Sequence, residues 1–201
     1  MSNSMSNSNS AHVLLMMSGS IAAYKACTLI SRLTQAGVHV KVACTPSTPN
    51  FVGLSTLEGL SGSPVFNDLN APGQAMAHID LARWAHLTLV YPASANTLAK
   101  FASGIADDAV STLFLAHEPN ASEHPVWIAP AMNHTMWDHP ATQRNLATLE
   151  SWGVQPLTPS EGKHACGELG MGRLMEPEAV IEKVLEHFQS ILKGQNKGKI
   201  V

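Results

Sequence analysis

The sequence predicts an open parallel α/β sheet with helices on both faces, which is a three-layer arrangement. Four short apolar runs have the character of buried strands, at 13–17, 38–45, 87–91 and 126–129. Segments with apolar residues at helical spacing separate these runs, and several contain Gly or Pro at their ends. Strands that alternate with helices form parallel sheets with right-handed crossovers, so this fold class follows.

Each predicted element has a local justification. The run 13–17 is continuously aliphatic, Val38, Val40 and Val42 alternate with polar residues, and the third strand stops at Pro92. After the first strand, residues recur at helical spacing until Gly37 ends the pattern. Further helices are predicted over 55–60, 97–104, 107–117, 140–152 and 177–192.

A single domain over residues 11–192 accounts for the whole pattern. The chain has 201 residues, 45% of them hydrophobic, which is enough for one substantial core. Residues 1–10 contain only Met, Ser and Asn and are predicted to be a disordered tail, because they offer no apolar area to bury. Residues 193–201, with two glycines and three lysines, are predicted to be a flexible tail.

Composition argues against several classes of partner. The formal net charge is -3 and no basic stripe is present, so nucleic acid is not expected. The aliphatic run 13–17 is too short for a membrane span, and the N-terminus lacks a signal-peptide pattern; a cytoplasmic protein is expected. The three cysteines form no close pair, and the ten histidines form no His-x-x-x-His motif with an intervening carboxylate. We therefore expect no metal.

Small polar residues follow every predicted strand. The four segments, termed here the strand-end turns, are residues 18–20, 45–47, 92–97 and 129–137. Open α/β sheets bind their ligands outside the carboxyl ends of their strands. A single polar turn is usually only a helix start, but four of them at the same edge predict a binding site.

The first and last strand-end turns suggest the ligand chemistry. Gly19 permits a close backbone approach, and Ser20 begins a helix whose free amides favour an anion such as phosphate. Neither a Gly-x-Gly-x-x-Gly nor a Gly-x-x-x-x-Gly-Lys motif occurs, which favours a mononucleotide, and Ser47 offers it another hydroxyl. The uncharged amide of Asn133 suits a small carboxylic acid. The simpler interpretation is that Ser20 and Asn133 are plain N-caps.

Four motifs together resemble the homo-oligomeric flavin-containing cysteine decarboxylase family. They are Gly-Ser-Ile-Ala-Ala-Tyr-Lys (19–25), Pro-Ala-Ser-Ala-Asn-Thr (92–97), Pro-Ala-Met-Asn-His-Thr-Met-Trp (130–137) and Ala-Cys-Gly-Glu-Leu-Gly-Met-Gly-Arg (165–173). The resemblance spans about residues 13–188. The fourth motif resembles the branch that acts on phosphopantothenoylcysteine, rather than the flavin prenyltransferases that share the fold.

The resemblance implies a flavodoxin-like or Rossmann-like sheet, an FMN cofactor and roles for particular residues. His78 and Cys166 would be catalytic, with Cys166 as the proton donor and His78 as base or carboxylate-orienting group. Asn133 and Met132 would contact the substrate. The residues implied to hold FMN are Gly19, Ser20, Ile21 and Ser47 around the phosphate and ribityl chain, and Ser94, Ala95, Asn96, Thr97 and Ala131 around the ring.

The implied activity is FMN-dependent decarboxylation of 4'-phospho-N-pantothenoylcysteine to 4'-phosphopantetheine, in coenzyme A biosynthesis. The implied assembly is a homotrimer, or a homododecamer of four trimers, with the flavin at a subunit interface. Two alternatives stay open: a peptidyl-cysteine decarboxylase of the same family, and a non-catalytic FMN-binding regulatory subunit. The sequence does not choose between trimer and dodecamer, and does not say whether a ligase is fused downstream.

Overall fold

The molecule is built on a five-stranded parallel sheet. The computed structural model describes residues 10–117, 124–163 and 169–197. The strands lie in the order β2-β1-β3-β4-β5, which is the flavodoxin-like order, so the predicted fold class is confirmed. Their bounds are β1 His12–Met17, β2 His39–Cys44, β3 Leu87–Ala93, β4 Val126–Pro130 and β5 Gln155–Pro156.

Helices cover both faces of this sheet. Side chains alternate along β1, so that Val13, Leu15 and Met17 join one buried cluster while Leu14 and Met16 join the other. Both faces being buried explains why β1 is aliphatic without interruption. The helices are α1 Lys25–Gln35, α2 Leu54–Ser61, α3 Ala77–Trp84, α4 Ala95–Ser103, α5 Ala109–Leu115, α6 His134–Asp138, α7 Pro140–Ser151 and α8 Pro177–Lys197.

The two layers are formed by different helices. Residues of α1, α2 and α8 pack in the cluster that contains Val13, and residues of α3, α4, α5 and α7 pack in the cluster that contains Leu14. The crossover after β1 therefore lies on one face of the sheet, and the crossover after β3 lies on the other. None of the helices in the described ranges is long and apolar enough to cross a membrane.

Several boundaries differ from those predicted. Strand β3 continues through Pro92, which follows a cis peptide bond, to Ala93, because β4 extends the pairing with Pro130 opposite Ala93. Helix α4 begins at Ala95 rather than Thr97, since Ser94 caps it. Helix α8 extends to Lys197, beyond the predicted end at 192.

Five elements were not predicted. They are α3, the short α6, the two-residue β5, and an antiparallel hairpin of β6 Ser160–Lys163 and β7 Leu169–Arg173. The hairpin is a separate two-stranded sheet, and β7 contacts α6 at the carboxyl edge of the main sheet.

A buried histidine just after α5 predicts that the fold loses stability in mild acid. The His117 ring is 8% exposed, its Nδ1 donates to the Leu113 carbonyl at 2.8 Å, and its Nε2 accepts from the Thr88 hydroxyl at 2.6 Å. Burial is the main cause that lowers the pKa of His117, and it also lowers the pKa of His12 and His86. The unfolded chain, with histidine pKa values of about 6.5, then binds more protons than the folded chain.

Stability should therefore be complete above about pH 6.5 and fall as the pH decreases from there towards the lowered folded-state values. Urea midpoints measured between pH 7.5 and 5 test this, with His117→Gln expected to flatten the dependence. His139→Asn is the matched control: it removes an exposed histidine whose Nδ1 caps α7, and Asn also caps helices. An unchanged slope in His117→Gln would contradict the assignment.

Candidate active site at the carboxyl edge of the sheet

The strand-end turns lie where the strand order reverses. From β1 the chain crosses to β2 on one side, and from β3 it crosses to β4 on the other, so a crevice opens between the carboxyl ends of β1 and β3. Ser18 joins those two ends: its hydroxyl donates to the Pro92 carbonyl and accepts from the Ser94 amide, both at 2.8 Å. Sequence reasoning placed Ser18 in a turn but gave it no role.

The first turn presents the start of a helix to this crevice. Ser20 has extended backbone angles and its hydroxyl accepts from the Ala22 amide at 3.2 Å, capping the 3-10 turn Ile21–Tyr24 that leads into α1. The N-cap interpretation of Ser20 is thus confirmed. The first amides of a helix have no intrahelical acceptor, so this turn is also suited to an anion.

Hydroxyl groups gather beside the first turn. The Thr45 Oγ1 atom accepts from the Gly19 amide at 3.3 Å and lies 3.1 Å from the hydroxyls of Ser47 and Thr48. Thr48 in turn donates to the Met17 carbonyl at 3.1 Å, which fixes the cluster to the end of β1. The structure therefore brings Gly19 and Ser47 together, as expected for two contacts to one phosphate. Thr45 was part of a quoted turn but was not assigned to the site.

Gly19 has no room for a side chain. A Cβ atom added there would lie 2.8 Å from the Ser47 Cβ atom and 3.2 Å from the Ser47 carbonyl carbon, and nearer still to the Ser47 hydroxyl. Any other residue would push the first two turns apart. The glycine is needed for close approach, since its φ is not in the left-handed region.

The third turn begins α4. The Ser94 hydroxyl accepts from the Thr97 amide at 3.3 Å and lies 3.1 Å from the Thr97 hydroxyl. Thr97 is 2% exposed, whereas Asn96 is exposed and Ala95 half-buried. Within this set, Thr97 thus supports Ser94, and Asn96 and Ala95 are the residues whose side chains face outward.

The fourth turn is attached to both the third turn and the hairpin. The Ala131 amide donates to the Ala93 carbonyl, and the Met132 amide donates to the Gly172 carbonyl of β7, each at 3.0 Å. The Asn133 Oδ1 atom accepts from the Thr135 amide at 2.8 Å, so Asn133 is the N-cap of α6. Because the cap uses the amide oxygen, the NH2 group is the part of Asn133 suited to a carboxylate.

Of the two expected catalytic residues, the structure describes only His78. His78 is half-buried in the first turn of α3, and within the described ranges it makes no hydrogen bond to the strand-end turns. Cys166 lies outside the described residues. Of the other cysteines, Cys44 is fully buried, which raises its pKa to about 12, and Cys27 is half-buried with a pKa that is also raised by burial. Both are inert packing groups.

The edge of the sheet fits the phosphate and ribityl end of FMN. The strand-end turns 18–20, 45–47, 92–97 and 129–137 supply hydroxyls, two amide side chains and helix amides, and they contain no Asp or Glu that would repel an anion. Among the residues that the structure covers, no group of three or more His, Cys, Asp or Glu side chains is arranged to hold a metal ion.

Large apolar side chains are exposed near these turns. Ile21 and Tyr24, in the 3-10 turn after Ser20, are 67% and 63% exposed, and Phe51 and Met136 are 48% and 49% exposed. Such residues next to a polar crevice are typical of a surface that another molecule covers.

Comparison with known proteins gives a consistent result. The model of the family described as flavoprotein matches residues 1–189. The coenzyme A biosynthesis bifunctional protein CoaBC of Bacillus subtilis (strain 168) is 46% identical over 195 residues, covering 96% of this chain and 47% of that protein. The chain thus spans about half the length of the curated relatives that it matches.

Solved structures share the fold over most of the chain. A PPC decarboxylase mutant with a cysteine replaced by serine, complexed with pantothenoylaminoethenethiol, has a TM-score of 0.79 and 31% identity, covering 90% of this chain and 99% of that one. The FMN-dependent cysteine decarboxylase SpaF has a TM-score of 0.74 and 30% identity, covering 90% of this chain and 98% of that one.

Proposed function

Because this chain belongs to the flavoprotein family, we propose that it binds FMN at the β1/β3 crevice and decarboxylates 4'-phosphopantothenoylcysteine to 4'-phosphopantetheine. The observation that carries the proposal is the joining of Gly19, Ser47 and Ser94 around one crevice, with Asn133 on the neighbouring strand end. Donors suited to the FMN phosphate, next to an amide suited to the substrate carboxylate, support an FMN-dependent decarboxylase. The similarities to CoaBC and to a PPC decarboxylase support the choice of substrate.

One set of residues binds the cofactor, and another set binds the substrate. The amides and hydroxyls of Gly19, Ser20, Ile21 and Ser47 hold the phosphate and ribityl end, while Ser94, Ala95, Asn96, Thr97 and Ala131 contact the ring. When bound, FMN supplies an electron sink, without which an aliphatic carboxylate does not readily lose CO2.

The second set of residues binds the substrate and transfers protons. Asn133, with Met132 beside it, orients the substrate carboxylate by donating from its amide. His78 accepts a proton or orients the carboxylate, since an imidazole nitrogen can accept a proton or donate a hydrogen bond. Cys166 donates the proton that completes the product.

The proposal is tested by the absorption spectrum of the purified protein and by CO2 release from phosphopantothenoylcysteine. A yellow protein with non-covalent FMN and stoichiometric 4'-phosphopantetheine is expected. A colourless protein that does not take up added FMN would overturn the assignment.

A cysteine decarboxylase acting on the C-terminal cysteine of a peptide is the second candidate. The similarity to the peptidyl-cysteine decarboxylase EpiD, with a TM-score of 0.72 and 26% identity over 88% of this chain, favours it, because the flavin turns and Asn133 would serve both reactions. Parallel assays with phosphopantothenoylcysteine and a peptide ending in cysteine separate the two candidates by relative kcat/KM.

The Gly19 contact yields a prediction about the cofactor. Gly19→Ala should weaken FMN binding by about 10- to 100-fold, because forcing a methyl group against Ser47 costs about 1–3 kcal/mol or displaces the second turn. Gly59→Ala is the matched control: residue 59 lies in α2, and a Cβ atom there meets no atom within 4 Å. That control should bind FMN normally and gain about 0.5–1 kcal/mol of stability. Equal FMN affinity in both variants would contradict the crowding at Gly19.

The exposed apolar residues beside the crevice support a proposal of self-association. We propose a homotrimer, alone or within a dodecamer, in which a second copy covers Ile21 and Tyr24 and completes the flavin pocket. Dilution to monomers should then release FMN, because each pocket needs two subunits. Sedimentation with detection at the flavin wavelength tests this; a stable monomer that keeps its flavin would contradict it.

A further inference from the structure

An ion pair links the hairpin to the helix that begins at the phosphate turn. Both oxygens of the Glu176 carboxylate accept from the Lys25 ammonium, at 2.8 and 2.9 Å. Lys25 is the first residue of α1, and Glu176 lies between the end of β7 and the start of α8, 151 residues away. The Lys25 side chain is only 11% exposed, whereas Glu176 is 45% exposed. Limited access to water strengthens this pair relative to a surface pair.

The segment that contains Glu176 has two further attachments. The Tyr91 hydroxyl of β3 donates to the Met175 carbonyl at 2.8 Å, and the Met132 amide of the fourth strand-end turn donates to the Gly172 carbonyl at 3.0 Å. The end of β7 is thus held by α1, β3 and the turn that carries Asn133. A Cβ atom on Gly170 would lie 2.7 Å from the His134 Cβ atom, so β7 and α6 are in close contact.

A second cation near Glu176 has a different role. The Arg173 guanidinium contacts the same carboxylate at 2.6 Å, but it is three residues away in sequence and 44% exposed. This bond stabilises the local turn and does not connect the hairpin to α1. Lys25 therefore provides the long-range link, and its hydrogen bond is also the main cause that lowers the pKa of Glu176.

We propose that Lys25 and Glu176 are a positioning pair that sets the place of β7 against the Met132–Asn133 turn, and through it the alignment of the substrate carboxylate. The kinetic part of this inference rests on the proposed decarboxylase function. In this proposal both residues act through the backbone segments that they hold and not by contact with the reacting atoms. The start of α1 would then hold two groups: the cofactor phosphate, through the first amides after Ser20, and the Met132–Asn133 turn, through Lys25.

Two measurements on Lys25→Met test the pair. The Met132 amide should exchange with solvent faster than in the unsubstituted protein, since its acceptor on Gly172 is no longer held in place. The kcat/KM for phosphopantothenoylcysteine should fall by about 10- to 100-fold, mostly through KM, with FMN content unchanged; misalignment by about 1 Å has this order of effect. Lys25→Arg should restore most of the activity, because a guanidinium also contacts both carboxylate oxygens.

Lys100→Met is the matched control. The Lys100 side chain is 20% exposed and contacts the carboxylates of Asp107 and Asp108 at 2.6 and 2.7 Å. The Lys100→Met substitution therefore removes a comparable interaction, between α4 and the start of α5. Lys100→Met should lower thermal stability without changing the rate of hydrogen exchange at the Met132 amide or the KM for phosphopantothenoylcysteine. Glu176→Gln removes the other charge of the pair, at a half-exposed position, and should reproduce the effects of Lys25→Met. It serves as the second test if Lys25→Met folds poorly.

The outcomes separate the two proposals. The positioning pair would be overturned if the Met132 amide exchanged with solvent at an unchanged rate in both Lys25→Met and Glu176→Gln. It would also be overturned if Lys100→Met raised the KM for phosphopantothenoylcysteine as much as Lys25→Met does. Absence of CO2 release from the unsubstituted protein would overturn the proposed function, while Met132 exchange would still decide whether the pair positions β7.

Discussion

Replacing Asn133 by aspartate should abolish CO2 release while leaving the flavin spectrum unchanged. The Asn133 side chain caps α6 through its oxygen, and an aspartate caps a helix equally well, so the turn should keep its shape. The substitution exchanges the NH2 donors for a second negative oxygen. Two like charges about 4 Å apart at an effective dielectric of about 20 repel by about 4 kcal/mol, which corresponds to a rate loss of about 10³-fold.

The Asn133→Asp experiment compares substrate binding with flavin binding in one preparation. Substrate affinity should be lost, and the flavin absorption should match that of the unsubstituted protein. Gln35→Glu is the charge control, because it also adds one negative charge but lies at the last residue of α1, at the end away from the Ser20 turn. Turnover by Asn133→Asp close to that of Gln35→Glu would show that Asn133 is only a helix cap.

Local sequence signals were sufficient for β1 to β4 of the main sheet and for the edge where the site lies. The strand run 13–17 was predictable because a strand buried on both faces is continuously apolar. Ser20 and Ser94 were predictable as turn residues because an N-cap needs a short hydroxyl side chain just before a helix. These signals depend on neighbours in sequence, and they place both turns at the carboxyl edge.

Contacts between distant segments were not predictable. Helix α3 has no side-chain cap at Met76, so its start carried no signal, although its apolar residues do pack on the second face. The hairpin strand β7 is set by the Met132–Gly172 hydrogen bond and by the contact of Gly170 with His134, which link separate parts of the chain. Lys25 was quoted within a motif, but its partner Glu176 is 151 residues away and no local pattern pairs them.

Replacing Cys166 by serine should uncouple CO2 loss from formation of the final product. A thiol has an unperturbed pKa of about 8.5, so it is protonated at neutral pH and able to give up that proton, whereas a serine hydroxyl is a far weaker acid. The carboxylate contact at Asn133 is unchanged, so substrate should still bind and lose CO2. The reaction should then stop before the last proton is delivered, and an ethenethiol should accumulate with no more than about one equivalent per flavin in the absence of oxygen.

Mass spectrometry of the products under anaerobic conditions measures the ratio of ethenethiol to 4'-phosphopantetheine. Cys27→Ser is the matched control, since Cys27 is half-buried in α1 and packs against the first core cluster, so only stability should change. If Cys166→Ser forms 4'-phosphopantetheine at the rate of Cys27→Ser, then Cys166 is not the proton donor, and another acid must complete the product.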